Sequence, residues 1–189
     1  QNIWVTARHV IEQCPKVFMS FDKKQPLIKD IFIHPNSDLA IFKNQEDSTL
    51  PFFEIKKYKN KTFSSGYPAG KPGDLVLNYL GHVALENKSY GVFEKGLVYS
   101  ILDRSPFNLN SIGGLSGGPA FSTDNSLSGI LVAENARRAL AILVENRSLI
   151  ELLNETNMIE KQVSRISQFD LVTTKKNFAN NGDSLRKQG

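Results

Sequence analysis

A chain of 189 residues that is 40% hydrophobic and 22% charged is long enough to bury a proper core and too apolar to be a disordered polypeptide. Its net charge of +4 comes without any long run of like charges, so nothing prompts a nucleic-acid partner and the excess reads as a basic solvated surface. The single cysteine, Cys14, excludes an intramolecular disulfide, and no stretch approaches the ~18 apolar residues of a membrane helix.

The opening "QNIWVTARHV" lacks an initiator Met and the basic-then-apolar pattern of a signal peptide. It predicts a start inside a longer parent protein, with any targeting segment or further domain upstream, and leaves the compartment open. "NIWV" reads as a strand, and "TARHVIEQ" as one or two helical turns with Thr6 as the cap. "KVFMSF", "LIKDIFI", "LAIFK", "KTFSSGY", "DLVLNYLGHVAL", "YGVFEKGLVYSIL", "GPAFS", "LSGILVA" and "RALAILV" follow, each rich in β-branched or aromatic residues and bounded by Gly, Pro, Asn or Asp. Long amphipathic helices do not interleave them, so the chain predicts an all-β antiparallel barrel or sandwich rather than a βαβ fold. "ENRSLIELLNE" predicts a closing helix over 147–155 capped by Asn146, and 156–189 reads as a polar C-terminal extension carrying one weak amphipathic helix, "MIEKQVSRISQF".

The stretch "IGGLSGGPAF" at 112–121 surrounds Ser116 with four glycines and a proline. Taken alone it is either a tight turn between strands or a place where backbone N–H groups converge beside a nucleophilic hydroxyl. A serine needs a general base, usually a histidine oriented by a carboxylate, and the chain offers His9, His34 and His82. Asp38 opens the apolar run "DLAIF", where a carboxylate either caps a turn or projects inward to orient a histidine. "GLSGG" also fits the nucleophile-elbow pattern, but that fold places its histidine after the serine, and none follows His82. "GYPAGK" is one residue short of a phosphate loop, and one Cys with three scattered His gives no zinc site. No metal or cofactor is expected.

Together "VTARHV", "SDLAIF" and "GGLSGGPAF", in that order and separated by 29 and 78 residues between His9, Asp38 and Ser116, resemble the histidine, aspartate and serine motifs of the chymotrypsin (trypsin-like) serine proteases. The spacing is most similar to the compact bacterial members. "SSGYPAG" at 64–70 resembles the family's segment entering the second barrel, and "AILVENRSLIELL" its last strand and closing helix. The resemblance covers roughly 1–155 and implies two packed six-stranded antiparallel Greek-key barrels, about 1–60 and 61–145, with a short closing helix. It further implies a serine endopeptidase acting on protein or peptide substrates, with His9, Asp38 and Ser116 as the triad and the N–H groups of Gly114 and Ser116 as the oxyanion hole. The base of the specificity pocket then falls at Asn110 and one wall at Ala133, Glu134 and Asn135. The rival readings are a catalytically inactive trypsin-fold binding module and an esterase.

Two departures from the family pattern carry expectations of their own. Only eight residues precede His9, where the family has about two further strands, so either those strands lie on a longer parent chain or the first barrel is incomplete. Leu115 stands where many relatives have an acid that pairs with a newly cut N-terminus. Leucine cannot form that ion pair, which predicts an oxyanion loop that is preformed or is ordered by substrate or another part of the protein.

Overall fold

A computed structural model of the chain describes residues 2–19, 25–44, 53–87, 91–106 and 111–156. Asn110, the weak helix expected near 158–169 and all but Thr156 of the C-terminal extension lie outside these residues.

Five short strands make up the N-terminal half: β1 (Asn2–Thr6), β2 (Val17–Phe18), β3 (Leu27–Ile28), β4 (Ile31–Ile33) and β5 (Ala40–Asn44), with helix α1 (Arg8–Ile11) after β1. They form an antiparallel sheet ordered β1-β5-β4 and a separate β2-β3 pair. Among the described residues this half does not close into a barrel. Thr6 is the last residue of β1, opposite Ala40, so it does not cap α1; Ala7 takes that position without a side-chain hydrogen bond.

The second half is a closed ring. Strands β7 (Lys61–Gly66), β8 (Gly73–Asn87), β9 (Val92–Ser105), β10 (Pro119–Phe121), β11 (Ser126–Asn135) and β12 (Leu140–Val144) pair in the order β10-β7-β8-β9-β12-β11, and β10 pairs again with β11. All six pairings are antiparallel, giving the expected six-stranded barrel. Before the ring begins, β6 (Glu54–Ile55) already pairs in parallel with the start of β11.

Why β11 reads as an unbroken apolar run is explained by its two faces, since successive residues of a strand point opposite ways. Leu131 enters the barrel interior with Leu75, Leu77, Leu97, Tyr99, Ile112, Leu115, Ala120, Ala141 and Leu143. Ile130 and Val132 face the other way, into a second core shared with Ala7, Leu39 and Ile41 of the N-terminal half and with Leu149, Leu152 and Leu153 of the closing helix α2 (Asn146–Glu155). That second core fixes the two halves against each other. The helix starts one residue early, with Glu145 at the cap position and no side-chain hydrogen bond there, while the Asn146 NH2 donates to the Lys56 and Leu127 carbonyls, both at 2.6 Å. Among the described residues no helix is long and apolar enough to cross a membrane.

Candidate active site

His9 and Asp38 meet because β1 and β5 are paired. The register places Thr6 opposite Ala40, so the residues just after β1 lie beside those just before β5. Arg8 N–H donates to the Asp38 carbonyl at 3.2 Å, and His9 N–H to Asp38 Oδ1 at 2.9 Å. The ring completes the clasp, with His9 Nδ1 2.6 Å from Asp38 Oδ2. An ionised carboxylate only accepts hydrogen bonds, so Nδ1 carries the proton and Nε2 keeps its lone pair. Asp38 is nearly enclosed, its side chain 10% exposed, whereas that of His9 is 37% exposed. The hydrogen bond to Asp38 holds the His9 imidazole above its ordinary pKa, against the opposing effect of burial.

The other two histidines are engaged elsewhere. His34 is buried in the turn before Asp38, where Nδ1 accepts from Asn36 N–H at 3.1 Å. His82 lies 2.9 Å from Glu145 and edge-on to Tyr58 and Tyr79.

Two consecutive tight turns carry Ser116, closed by Leu115 N–H to the Ile112 carbonyl at 3.0 Å and by Gly118 N–H to the Leu115 carbonyl at 2.9 Å. Each needs a residue with positive φ, which glycine adopts without a Cβ clash; Gly114 has φ +97° and Gly117 +86°. Gly117 has a second reason to be glycine. A Cβ there would fall 2.6 Å from Thr6 Oγ1 and 2.8 Å from Ala7 N, so the serine turn presses against the corner that leads into His9. Exchanged hydrogen bonds with β11, Gly117 N–H to the Leu131 carbonyl at 2.7 Å and Leu131 N–H to the Gly118 carbonyl at 2.9 Å, lock the turn to the barrel. No hydrogen bond joins Ser116 to His9 among the described residues, where the His9 ring is bonded to Asp38. Catalytic hydrogen bonds are often long in unliganded sites and tighten with substrate.

The peptide between Gly113 and Gly114 is oriented from its carbonyl side. Ala69 N–H donates to the Gly113 carbonyl at 2.8 Å. In a planar trans peptide the N–H points opposite to the C=O, so the Gly114 N–H faces away from the 67–69 loop. Among the described residues neither the Gly114 nor the Ser116 N–H donates to another protein group. Leu115, between them, is 2% exposed and lies in the barrel core, so the turn is pinned by an apolar anchor.

The candidate pocket residues take different roles. Ala133 is half-buried beside the shared core, and Asn135 accepts from Arg138 N–H at 3.3 Å, closing the turn between β11 and β12. Glu134 turns across to the start of the serine loop, accepting from the Ser111 hydroxyl at 2.5 Å and from Ile112 N–H at 3.0 Å. Its carboxylate is thus a brace for the segment entering the turns that carry Ser116. Glu134→Ala leaves the Ile112 N–H without its partner and is expected to cost roughly 1–3 kcal/mol of stability, read as a lower Tm. Sequence reasoning also missed Glu94, whose carboxylate accepts the Asp38 N–H at 3.0 Å.

No protein-family model and no curated protein matches the chain. Solved structures do match it. The active form of the Rv3671c protease from M. tuberculosis has a TM-score of 0.64 at 14% identity, over 88% of this chain and 71% of that one. The MamO protease domain from Magnetospirillum magneticum, in its apo form, has a TM-score of 0.60 at 16% identity, over 79% of this chain and 82% of its own. A human pathogenic astrovirus serine protease has a TM-score of 0.55 at 15% identity, over 77% and 78%. The fold is therefore that of the chymotrypsin-like serine proteases.

Proposed function

We propose that this chain, built on the chymotrypsin-like fold, is a serine endopeptidase whose catalytic unit is residues 1–155. Ser116 is the nucleophile, His9 the general base and Asp38 the residue that orients it. The observation that carries the reading is the His9–Asp38 clasp, which leaves the Nε2 lone pair available on the face of the half-exposed ring that Asp38 does not cover.

The chemistry follows from ordinary acyl transfer. Ser116 Oγ attacks the scissile carbonyl as His9 Nε2 takes its proton, and the negative charge on the carbonyl oxygen is met by the N–H groups of Gly114 and Ser116. The imidazolium, supported by Asp38, returns the proton to the leaving amine, which leaves the acyl group on Ser116. Water then repeats the sequence and releases the acid. Such donors act before the reaction begins, which is why a pinned Leu115 and an anchored Gly113 carbonyl matter: a turn already in place need not be reorganised at the transition state.

The test is a fluorophosphonate probe with hydrolysis of a fluorogenic peptide library. Wild type should label and cleave, and Ser116→Ala should do neither. A folded wild type that neither labels nor cleaves overturns the reading and leaves a trypsin-fold binding module.

A further inference from the structure

Strands β8 and β9 run past the barrel as a two-stranded ribbon: β9 last pairs with β12 at Gly96, and from there Lys95 to Val92 pair only with β8. Such a ribbon is mostly solvated, and its neighbours bear this out, Phe93 being 75% exposed and Lys95 exposed. Between them Glu94 points the other way and is only 7% exposed. An apolar residue would fill that place at lower cost, since burying a carboxylate is expensive unless its oxygens are met by donors. Both oxygens are met, and both donors lie in the loop that holds Asp38. Oε1 accepts from the Ser37 hydroxyl, itself 3% exposed, and Oε2 accepts from the Asp38 N–H at 3.0 Å.

Asp38 uses both of its own carboxylate oxygens on His9, one on the backbone N–H and one on Nδ1. A shift of its main chain therefore moves the imidazole. We infer that Glu94 is a positioning residue of the second barrel that fixes the acid loop of the N-terminal half, and through it the orientation of His9; for catalysis this rests on the serine-peptidase reading. Glu94 touches neither substrate nor the reacting atoms. It joins the halves at the point where the triad is divided between them, His9 and Asp38 on one and Ser116 on the other.

The geometry separates shape from charge. In Glu94→Gln the amide oxygen can accept the Asp38 N–H while its NH2 donates to Ser37 Oγ, so both links survive without the charge. In Glu94→Asp the charge survives, but the side chain is one methylene shorter and cannot span both donors. The measurements are kcat and KM on the fluorogenic peptide, with the downfield proton resonance of His9 Nδ1 as a readout independent of turnover. Glu94→Asp and Glu94→Ala should lower kcat about 10- to 100-fold with KM nearly unchanged, as a small misplacement of a catalytic group does. The Nδ1 resonance should broaden or vanish in both, while Glu94→Gln keeps both near wild type. If Glu94→Ala does not fold, the Asp and Gln variants decide alone. Wild-type kcat and an intact resonance in Glu94→Asp overturn the inference, and so does a Gln variant as impaired as the Asp variant. A wild type without peptidase activity whose Nδ1 resonance is lost in Glu94→Asp removes the peptidase reading and leaves the positioning role standing.

Discussion

Asp38→Asn should lower kcat by about four orders of magnitude, the scale of that exchange where a histidine must keep one tautomer. The carboxylate takes two N–H groups of His9, the backbone one at 2.9 Å and Nδ1 at 2.6 Å. An amide that accepts the backbone N–H through its oxygen turns its NH2 toward Nδ1. The ring then answers with an unprotonated Nδ1 and a proton on Nε2, where it can no longer accept one from Ser116. The pH dependence gives an independent sign. Catalysis needs neutral His9, and the Asp38 hydrogen bond raises its pKa above the ordinary 6.5, so activity should appear only as pH rises through that raised value. Without the carboxylate the raising effect is gone and burial alone remains. The acid limb of kcat/KM in Asp38→Asn should therefore move to lower pH as its plateau collapses. A plateau within tenfold of wild type, or a limb that moves up, would show that Asp38 does not orient the base.

The meeting of His9 and Asp38 was legible through motif composition, in the family resemblance that "VTARHV" and "SDLAIF" carry, while the residues alone left Asp38 either a cap or an orienting carboxylate until the β1–β5 register brought the two together. Gly114 and Gly117 were legible for a related reason: a positive φ leaves a compositional trace. Glu94 left none. In "YGVFEKG" it stands beside a lysine on an alternating strand, a pattern that describes a solvated ribbon equally well, and only the packing of one barrel's ribbon against the other half turns it inward. Glu134 escaped similarly, since the donors it braces lie 22 and 23 residues away along the chain. Asn146 is a good capping residue by type, yet it lies inside the helix, with its NH2 drawn to the Leu127 carbonyl of β11 and the Lys56 carbonyl just after β6. Local propensity is a weak prior wherever a tertiary partner offers a better bond.

Leu115 is where a change should damage stability and activity together. Its side chain is 2% exposed, and a Cβ on Gly66 would fall 2.5 Å from Leu115 Cδ2, so the site is filled against the backbone of β7. Ile112, at the other end of the same turn, is also 2% exposed and lies in the same core. The turn that presents the Gly114 N–H is thus held at both ends by buried apolar side chains. Leu115→Ala should cost roughly 2–5 kcal/mol, the range for leucine truncation in a packed core. Leu115→Met, close in volume, should cost less than about 1.5 kcal/mol and keep its activity. Leu115→Asp is the sharper test, because it installs the acid of the N-terminus-activated relatives at a site where the described residues offer it no buried Lys or Arg. The carboxylate must leave the core and pull the turn with it, so labelling of Ser116 by the fluorophosphonate should slow even at temperatures where circular dichroism reports a folded chain. The Met variant should label at the wild-type rate under the same conditions. If Leu115→Asp keeps both the wild-type Tm and the wild-type labelling rate, then the turn that presents the Gly114 N–H is not held by its apolar anchor, and its order must come from the Gly113 and β11 hydrogen bonds alone.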